Sequence, residues 1–282
     1  MSLAATIPAD DGGPLVTPHP RLRLHRRFHS VHLPDDRDVM VYLPPEYDAV
    51  SARRFPVLYM HDGQNLFDPR TSFIPGRTWQ VRETADSMIL AEDVEPLIIV
   101  GIHNAGERRL SEYTHTRDWK VGGGSADAYG RLLTRELLPF VDAEYRTLTG
   151  PENTGMGGSS LGGLVTMYLG LRYASIFGKL AVMSPSVWWD HKSILAEVNE
   201  YEGPPWPRIW LDVGEAEGAR VVSDANLLHK KLALRGWRDG ATLHYERVDG
   251  GTHDETAWAA RMGPMLRFLF PARPRDRGSA GE

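Results

Sequence analysis

Ser160 lies in Gly158-Ser159-Ser160-Leu161-Gly162, a G-x-S-x-G pentapeptide with glycine two residues before and two after one hydroxyl. A serine nucleophile needs this pattern. A strand-to-helix turn tight enough to lift the hydroxyl clear of the chain leaves little room for a Cβ on either flank. A helix beginning at Leu161 would point its amino end at the reacting centre and favour an anionic intermediate, with the Leu161 amide as one oxyanion donor. A glycine-rich turn of this kind can also serve close packing alone, or cradle a phosphate. The β-rich stretch before it and the apolar helical stretch after it favour the nucleophile. Ser159 lacks the two flanking glycines.

A serine nucleophile requires a base, and the base requires an acid to orient it; in α/β hydrolases they follow in the order serine, acid, histidine. Downstream lie His191, His229, His244 and His253. His253 occupies the loop Asp249-Gly250-Gly251-Thr252-His253-Asp254 between the last expected strand and the last expected helix, where an imidazole can reach over a sheet edge. His244 falls inside a strand, His229 in a charged helix and His191 just after Trp188-Trp189-Asp190. Before His253, the stretch Trp210-Leu211-Asp212-Val213-Gly214-Glu215-Ala216-Glu217 offers three carboxylates. Asp212 is expected within the strand and pointing into the sheet. Glu217, beyond Gly214, is best placed to orient His253, with Glu215 as the fallback.

The second oxyanion donor is expected from His61-Asp62-Gly63-Gln64-Asn65. There Gly63 turns the backbone inward and presents the Gln64 amide, with the Gly63 amide as the second choice. An ordinary Asp-Gly turn is the plainer alternative. His61 and Asp62 could be taken for a metal pair, but no second ligand cluster stands at matching spacing and no metal is expected. Asp62, Asn104, Arg108 and Arg109, followed by Glu112 and Tyr113, and Trp188 with Trp189, are the candidate substrate contacts. Guanidiniums beside aromatics suit a polar, anionic or sugar-like ester. A solvated charged loop and a buried aromatic lid would read the same way.

Elements that could hold these residues alternate along the chain. Strands are expected at 39–43, 55–61, 97–103, 154–158, 179–184, 208–213 and 242–248, with 29–33 and 39–43 as an antiparallel edge pair. Helices are expected at 79–91, 126–145, 161–173, 187–198, 219–236 and 255–270. In 126–145, Leu132, Leu133, Leu137, Leu138 and Val141 recur at three- and four-residue steps. Strand and helix in alternation predict an α/β fold, a mostly parallel sheet with helices on both faces and ligands at the strand C-terminal ends. The expected division is a flexible segment 1–20, a single α/β-hydrolase domain 21–270 and a disordered tail 271–282.

The 282 residues carry a net charge of −5 and no cysteine. The first argues against a nucleic-acid partner, which needs a basic face. The second excludes disulfides, thiolate metal sites and a cysteine nucleophile. Arg21, Arg23, Arg26 and Arg27 read as one solvated edge. No basic start followed by an apolar stretch marks a signal peptide, and no run of eighteen apolar residues marks a membrane span, so a cytoplasmic location and no membrane partner are expected. The oligomeric state stays open, a homodimer being one candidate.

With these residues in place, the sequence resembles the esterase D or enterochelin-esterase-like branch of the α/β hydrolases. The matching pieces, in family order over about residues 21–270, are His61-Asp62-Gly63-Gln64-Asn65, Arg108-Arg109-Leu110-Ser111-Glu112-Tyr113-Thr114, Gly157-Gly158-Ser159-Ser160-Leu161-Gly162-Gly163, Met183-Ser184-Pro185-Ser186-Val187-Trp188-Trp189, Asp212-Val213-Gly214-Glu215-Ala216-Glu217 and Gly251-Thr252-His253-Asp254-Glu255. The resemblance implies a serine carboxylesterase without a cofactor. It supports Glu217, because the family's acid lies three residues past the glycine matching Gly214. It also implies substrates such as siderophore trilactones, acetylated or feruloylated polysaccharides or other small esters. No added N-terminal domain of the kind some siderophore esterases carry is seen, so that specific role is not the expected one. An acyltransferase, a non-catalytic binding module and a metal-dependent hydrolase are the rival readings.

Overall fold

Runs of aliphatic residues form the central strands of the structure, a computed structural model that describes residues 19–272. β3 (Val57–Met60) and β4 (Ile98–Ile102) are buried at every position, so they have no solvent side to alternate with and read as continuous apolar runs. β7 (Thr154–Ser159), β8 (Lys179–Met183) and β9 (Arg208–Gly214) are nearly as covered. With β1 (Leu22–Phe28), β2 (Arg37–Tyr42) and β10 (Leu243–Val248) they make an eight-stranded sheet among the described residues, in the order β1-β2-β4-β3-β7-β8-β9-β10. Every pairing from β4 to β10 is parallel, and β2 is antiparallel to both its neighbours. β5 (Arg117–Asp118) and β6 (Gly122–Gly123) form a small separate hairpin.

From β3 the chain builds outward to β4, and from β7 it builds the other way through β8, β9 and β10. The order therefore reverses between β3 and β7. In open α/β sheets such a reversal opens a crevice at the strand C-terminal ends, and loops leaving it are free to meet a ligand.

Side-chain alternation divides the core in two. Val57, Tyr59, Ile98, Val100, Leu180, Val182, Ile209 and Leu211 face one side, under α5 (Leu161–Arg172), α6 (Ile194–Glu200) and α7 (Ala219–Arg235). The same side is covered by a helical rod in which α3 (Ala126–Leu132) and α4 (Leu138–Glu144) are joined by a π-helical turn at Leu133–Leu137. Leu58, Met60, Ile99, Ala181, Met183 and Trp210 face the other side, against α1 (Val81–Leu90) and α8 (Glu255–Leu269). This is the expected α/β-hydrolase fold.

Three expectations need correction. The edge strand paired with β2 is β1, not 29–33. Arg27 takes a positive φ of 51° and the register slips between His25 and Phe28, so a bulge breaks the two-residue period that would have marked it. Arg23, Arg26 and Arg27 lie exposed on this edge as expected, while Arg21 turns in to bond Asp86 of α1 at 2.6 Å. The helix expected at 187–198 begins only at Ile194, because Asp190 and His191 are left-handed (φ 38° and 53°). Charged loop residues 109–112 form a short helix, α2 (Arg109–Glu112). The expected terminal segments 1–20 and 271–282 lie outside the described residues, apart from 19–20 and 271–272; Pro271 forms a β-bridge with Val94.

α2 is held by a buried ion pair. The Arg37 guanidinium on β2 donates to both Glu112 oxygens at 2.8 and 3.1 Å, with the two side chains 1% and 2% exposed. Removing one partner strands the other charge away from water. Arg37→Met should therefore lose about 3–5 kcal/mol in urea denaturation, and the double variant Arg37→Met/Glu112→Leu should recover most of that loss.

Candidate active site

β7 ends and α5 begins at Ser160, whose backbone is held at φ 59°, ψ −121°, a conformation that L-residues rarely adopt. The Ser160 amide bonds the Met183 carbonyl at 3.0 Å, and its own carbonyl accepts from the amides of Leu164 and Ser186. A Cβ on Gly158 would lie 3.0 Å from the His61 ring, and one on Gly163 would lie 2.8 Å from the Met183 carbonyl oxygen. Gly162, the second glycine of the pentapeptide, has more room, with a nearest contact of 3.4 Å. Crowding around this turn is therefore tighter at Gly157, where a Cβ would lie 2.7 Å from the Ala181 Cβ, and at Gly158 and Gly163 than at Gly162.

His253 and Glu217 come together on the neighbouring strand ends. Glu217 lies in the 3-10 turn Glu215–Glu217 that follows β9. Its Oε2 accepts from His253 Nδ1 at 2.7 Å; Oε1 accepts from the Ser184 hydroxyl at 2.6 Å and the Gly214 amide at 2.7 Å. Burial alone would push this carboxyl up, but the bonds from His253, Ser184 and the Gly214 amide hold it below the ordinary range. Glu217 is 1% exposed and His253 42%. The two loops touch closely: the Ala216 amide bonds the Gly251 carbonyl at 3.0 Å, and a Cβ on Gly214 would meet that oxygen at 2.1 Å. Just past His253, Asp254 caps α8 by accepting from the amides of Thr256 and Ala257. Glu215 is drawn away to Arg247 at 2.6 Å.

No hydrogen bond joins His253 to Ser160 among the described residues; the Ser160 hydroxyl instead meets the Ser186 hydroxyl at 3.3 Å. The imidazole packs edge-on against Trp258, with centroids 4.9 Å apart. With Nδ1–H given to a carboxylate, Nε2 is the nitrogen left with a lone pair, which is the tautomer a general base requires.

The Leu161 amide opens α5, and no acceptor takes it among the described residues. The Gln64 amide, in the 3-10 turn Gly63–Asn65 after β3, is likewise free there. The Gln64 side chain accepts from the Asn104 amide at 3.2 Å, tying this loop to the one after β4. Under the same loop His61 is fully buried. Its Nδ1 bonds Tyr129 at 2.9 Å and its Nε2 has no partner, and burial pushes the imidazole down to about 4.

The expected substrate contacts separate. Asp62 is buried, with its carboxylate saturated by Arg109 (2.7 and 2.8 Å) and the Asn104 amide group (2.6 Å), so it organises the loop rather than facing a solute. Trp189 is buried too, its indole N–H given to Thr116. Trp188 is 46% exposed. Arg108 is exposed and paired with Asp35 at 2.6 Å, and Arg109 keeps a partly open edge. A cavity of about 390 Å³ lies between Phe67, Arg77, Thr78, Gln80 and Thr256, the last three residues beyond His253. No cluster of three or more His, Asp or Glu among the described residues is placed to hold a metal ion.

Sequence reasoning missed Ser184, Ser186 and Arg261. Ser184 has a positive φ of 41°, and its hydroxyl accepts from Trp258 and Arg261. Arg261 had left a signal: it falls on the apolar stripe of α8, among Trp258, Met262 and Met265, where a solvated arginine does not belong.

Comparison with known proteins gives a consistent result. The family model described as "Putative esterase" matches residues 30–269. Bacillus subtilis YbbA, an uncharacterized protein, is 28% identical over 86% of this chain and 95% of its own length. The iron(III) enterobactin esterase of Escherichia coli is 30% identical over 51% of this chain, but only 36% of its own length. The endo-1,4-beta-xylanase/feruloyl esterase of Xylanibacter ruminicola is 30% identical over 82% of this chain and 29% of its own length. Among solved structures, the BES protein from Bacillus cereus superposes with a TM-score of 0.73 at 19% identity, covering 93% of this chain and 99% of its own. An IroE-like serine hydrolase from Shewanella oneidensis gives 0.72 at 19% identity, over 88% and 80%.

The buried His61 makes stability depend on pH. It stays neutral in the folded chain down to about 4, whereas the unfolded chain takes up a proton near 6.5. Between those values the unfolded state binds more protons, so acidification removes stability. His61→Asn should reduce the loss of stability between pH 7.5 and pH 5, read from urea midpoints, by about 2 kcal/mol. His115, also pushed down to about 4 by burial, keeps part of the slope.

Proposed function

This chain belongs to the esterase family and is a carboxylic ester hydrolase, and we propose that it works through an acyl-enzyme on Ser160. In this mechanism His253 Nε2 takes the Ser160 proton as Oγ attacks the ester carbonyl carbon. The carbonyl electrons move onto oxygen, which the Leu161 and Gln64 amides hold. His253 then returns the proton to the leaving alcohol. Water, activated by the same imidazole, cleaves the acyl group from Ser160 and releases the acid. Glu217 keeps the ring oriented and stabilises the imidazolium between steps.

The observation that carries this reading is the 2.7 Å bond from His253 Nδ1 to a buried carboxylate, at the sheet edge where Ser160 is held in a conformation that serine rarely adopts. The open link between His253 and Ser160 fits a resting enzyme, since catalytic bonds often tighten only when substrate is bound. The proposed substrate is a small or polar ester: siderophore-like, an acetylated or feruloylated carbohydrate, or another short acyl ester. The enterobactin and feruloyl esterases among the relatives support that range, as do the exposed Trp188 and the partly open Arg109 beside the nucleophile loop.

Hydrolysis of a short p-nitrophenyl ester by purified variants tests the assignment. Ser160→Ala and His253→Gln should each lose roughly 10⁴–10⁶-fold in kcat, and Glu217→Gln roughly 10²–10⁴-fold. Intact mass after a rapid quench should show one acyl increment on the wild type and none on Ser160→Ala. A Ser160→Ala enzyme with the wild-type rate would end the proposal.

A further inference from the structure

Behind Glu217 lies a second buried carboxylate that ester cleavage does not itself require. Asp212, on β9 two residues before Gly214, is fully buried, and its Oδ2 accepts from the Trp210 indole at 2.7 Å. Its Oδ1 accepts from Arg261 Nη1 at 2.7 Å and from the Ser184 amide at 3.2 Å. Arg261 is 3% exposed and touches every part of the acid–base pair's support: the Ser184 hydroxyl at 3.0 Å, the Thr252 carbonyl beside His253 at 3.0 Å and Glu217 Oε1 at 3.5 Å.

The distances divide the charges. Arg261 lies 2.7 Å from Asp212 but 3.5 Å from Glu217, and Glu217 lies 2.7 Å from His253. An arginine alone behind Glu217 would satisfy the carboxylate and oppose a positive charge on the imidazole, because like charges a few ångströms apart in a poorly solvated site repel. An aspartate that neutralises the arginine leaves the negative charge of Glu217 uncompensated.

We propose that Asp212 and Arg261 are positioning residues that act as one charge-balanced clamp. The arginine ties the acid turn to the base loop, and the aspartate cancels its charge, so that Glu217 keeps one full negative charge for the imidazolium formed when Ser160 is deprotonated. This rests on the assignment of His253 as base. Most other charges near the pair are already committed. Glu215 pairs with Arg247, both half exposed. Glu246 lies 3.5 Å from His244. Tyr245 donates to Asn226, and Asp254 caps α8. Asp62, across the nucleophile, is taken by Arg109. Glu255, buried in the first turn of α8 with its Oε2 unpartnered, and Arg77, near Asp254, are the same in every variant below.

The test is the acidic limb of kcat/KM against pH, which reports the free enzyme's base, measured with a short p-nitrophenyl ester. Asp212→Asn leaves the arginine uncompensated, so the limb should move to lower pH by about one unit. Arg261→Met removes the charge that opposes the upward push of burial on the Asp212 carboxyl, so part of the extra negative charge is lost to protonation and the limb should move to higher pH by less than one unit. The double variant Asp212→Asn/Arg261→Met restores the balance, and its limb should return to the wild-type position even where kcat is reduced by looser loops. A merely structural clamp would lower kcat in all three without opposed shifts. An Asp212→Asn limb that stays put or moves up overturns the proposal, and this arm, nearly isosteric, carries the test where Arg261→Met fails to fold. If His253→Gln keeps the wild-type rate, the base assignment itself falls. If His253 is essential and the limb is unmoved in Asp212→Asn, only the charge balance falls.

Discussion

Ser160 can present its hydroxyl only if the chain reverses between β7 and α5 within one residue, and the backbone takes φ 59°, ψ −121° to do so. Such a conformation is unfavourable by about 1–3 kcal/mol and persists only where its surroundings over-determine it. Here they do. The serine amide and carbonyl are both bonded across to the end of β8 and its following loop, and every residue of α5 from Leu161 to Leu171 is buried. A second serine repeats the device next door. Ser184, at the end of β8, also has a positive φ, and it turns its hydroxyl toward the acid turn, where it donates to Glu217. Adjacent strand ends thus aim one hydroxyl outward and one inward, from the same rigid sheet.

Around this turn the loops are held by arginine–carboxylate pairs, two of them on buried arginines, rather than by apolar packing alone. Arg37 fixes Glu112 on α2, Arg109 takes Asp62 after β3, and Arg261 takes Asp212 under the acid and base loops. Such pairs contribute little net stability, since desolvating both charges offsets most of their attraction. What they supply is geometry. A planar guanidinium that donates to two carboxylate oxygens, as in the first two pairs, fixes both distance and plane, which a leucine cannot do. Arg37 and Arg109 lie on the side of the loops after β3 and β4 and Arg261 on the side of Glu217 and His253, so Ser160 sits between two independently braced walls.

How much of this was legible depended on the kind of constraint. The central strands could be read because both faces are covered. The tight turn at Ser160 could be read because close crossing of strand and helix restricts residue type at several neighbouring positions. That Glu217 and His253 meet followed from chain order, from their places after β9 and β10 and, for Glu217, from the family resemblance. Adjacent aromatics could not be sorted: Trp188 is exposed and Trp189 buried, and the difference arises where Asp190 and His191 leave the helical region, which no local pattern announced. Asp62 reads in the sequence as a substrate contact or an ordinary Asp-Gly turn, and only the fold brings Arg109 and Asn104 to it across more than forty residues. Arg261 was hidden by the habit of placing charges in water, although its position on the apolar stripe of α8 argued otherwise. Long-range charge pairing has no period, and that is why it escaped.

The structure leaves the His253 ring almost fixed and the Ser160 hydroxyl adjustable. With Nδ1 given to Glu217 and its ring against Trp258, the imidazole has little rotational freedom, whereas the Ser160 hydroxyl is held only by a 3.3 Å contact with Ser186. A bond that long is weak, and rotation about one serine torsion moves Oγ between staggered wells with little change in the backbone. The strained turn, the braced loops and the capped start of α8 thereby confine the site's reorganisation largely to one light side chain. In the proposed mechanism such preorganisation is favourable, because the dipoles assigned to the developing oxyanion then need not move during the reaction.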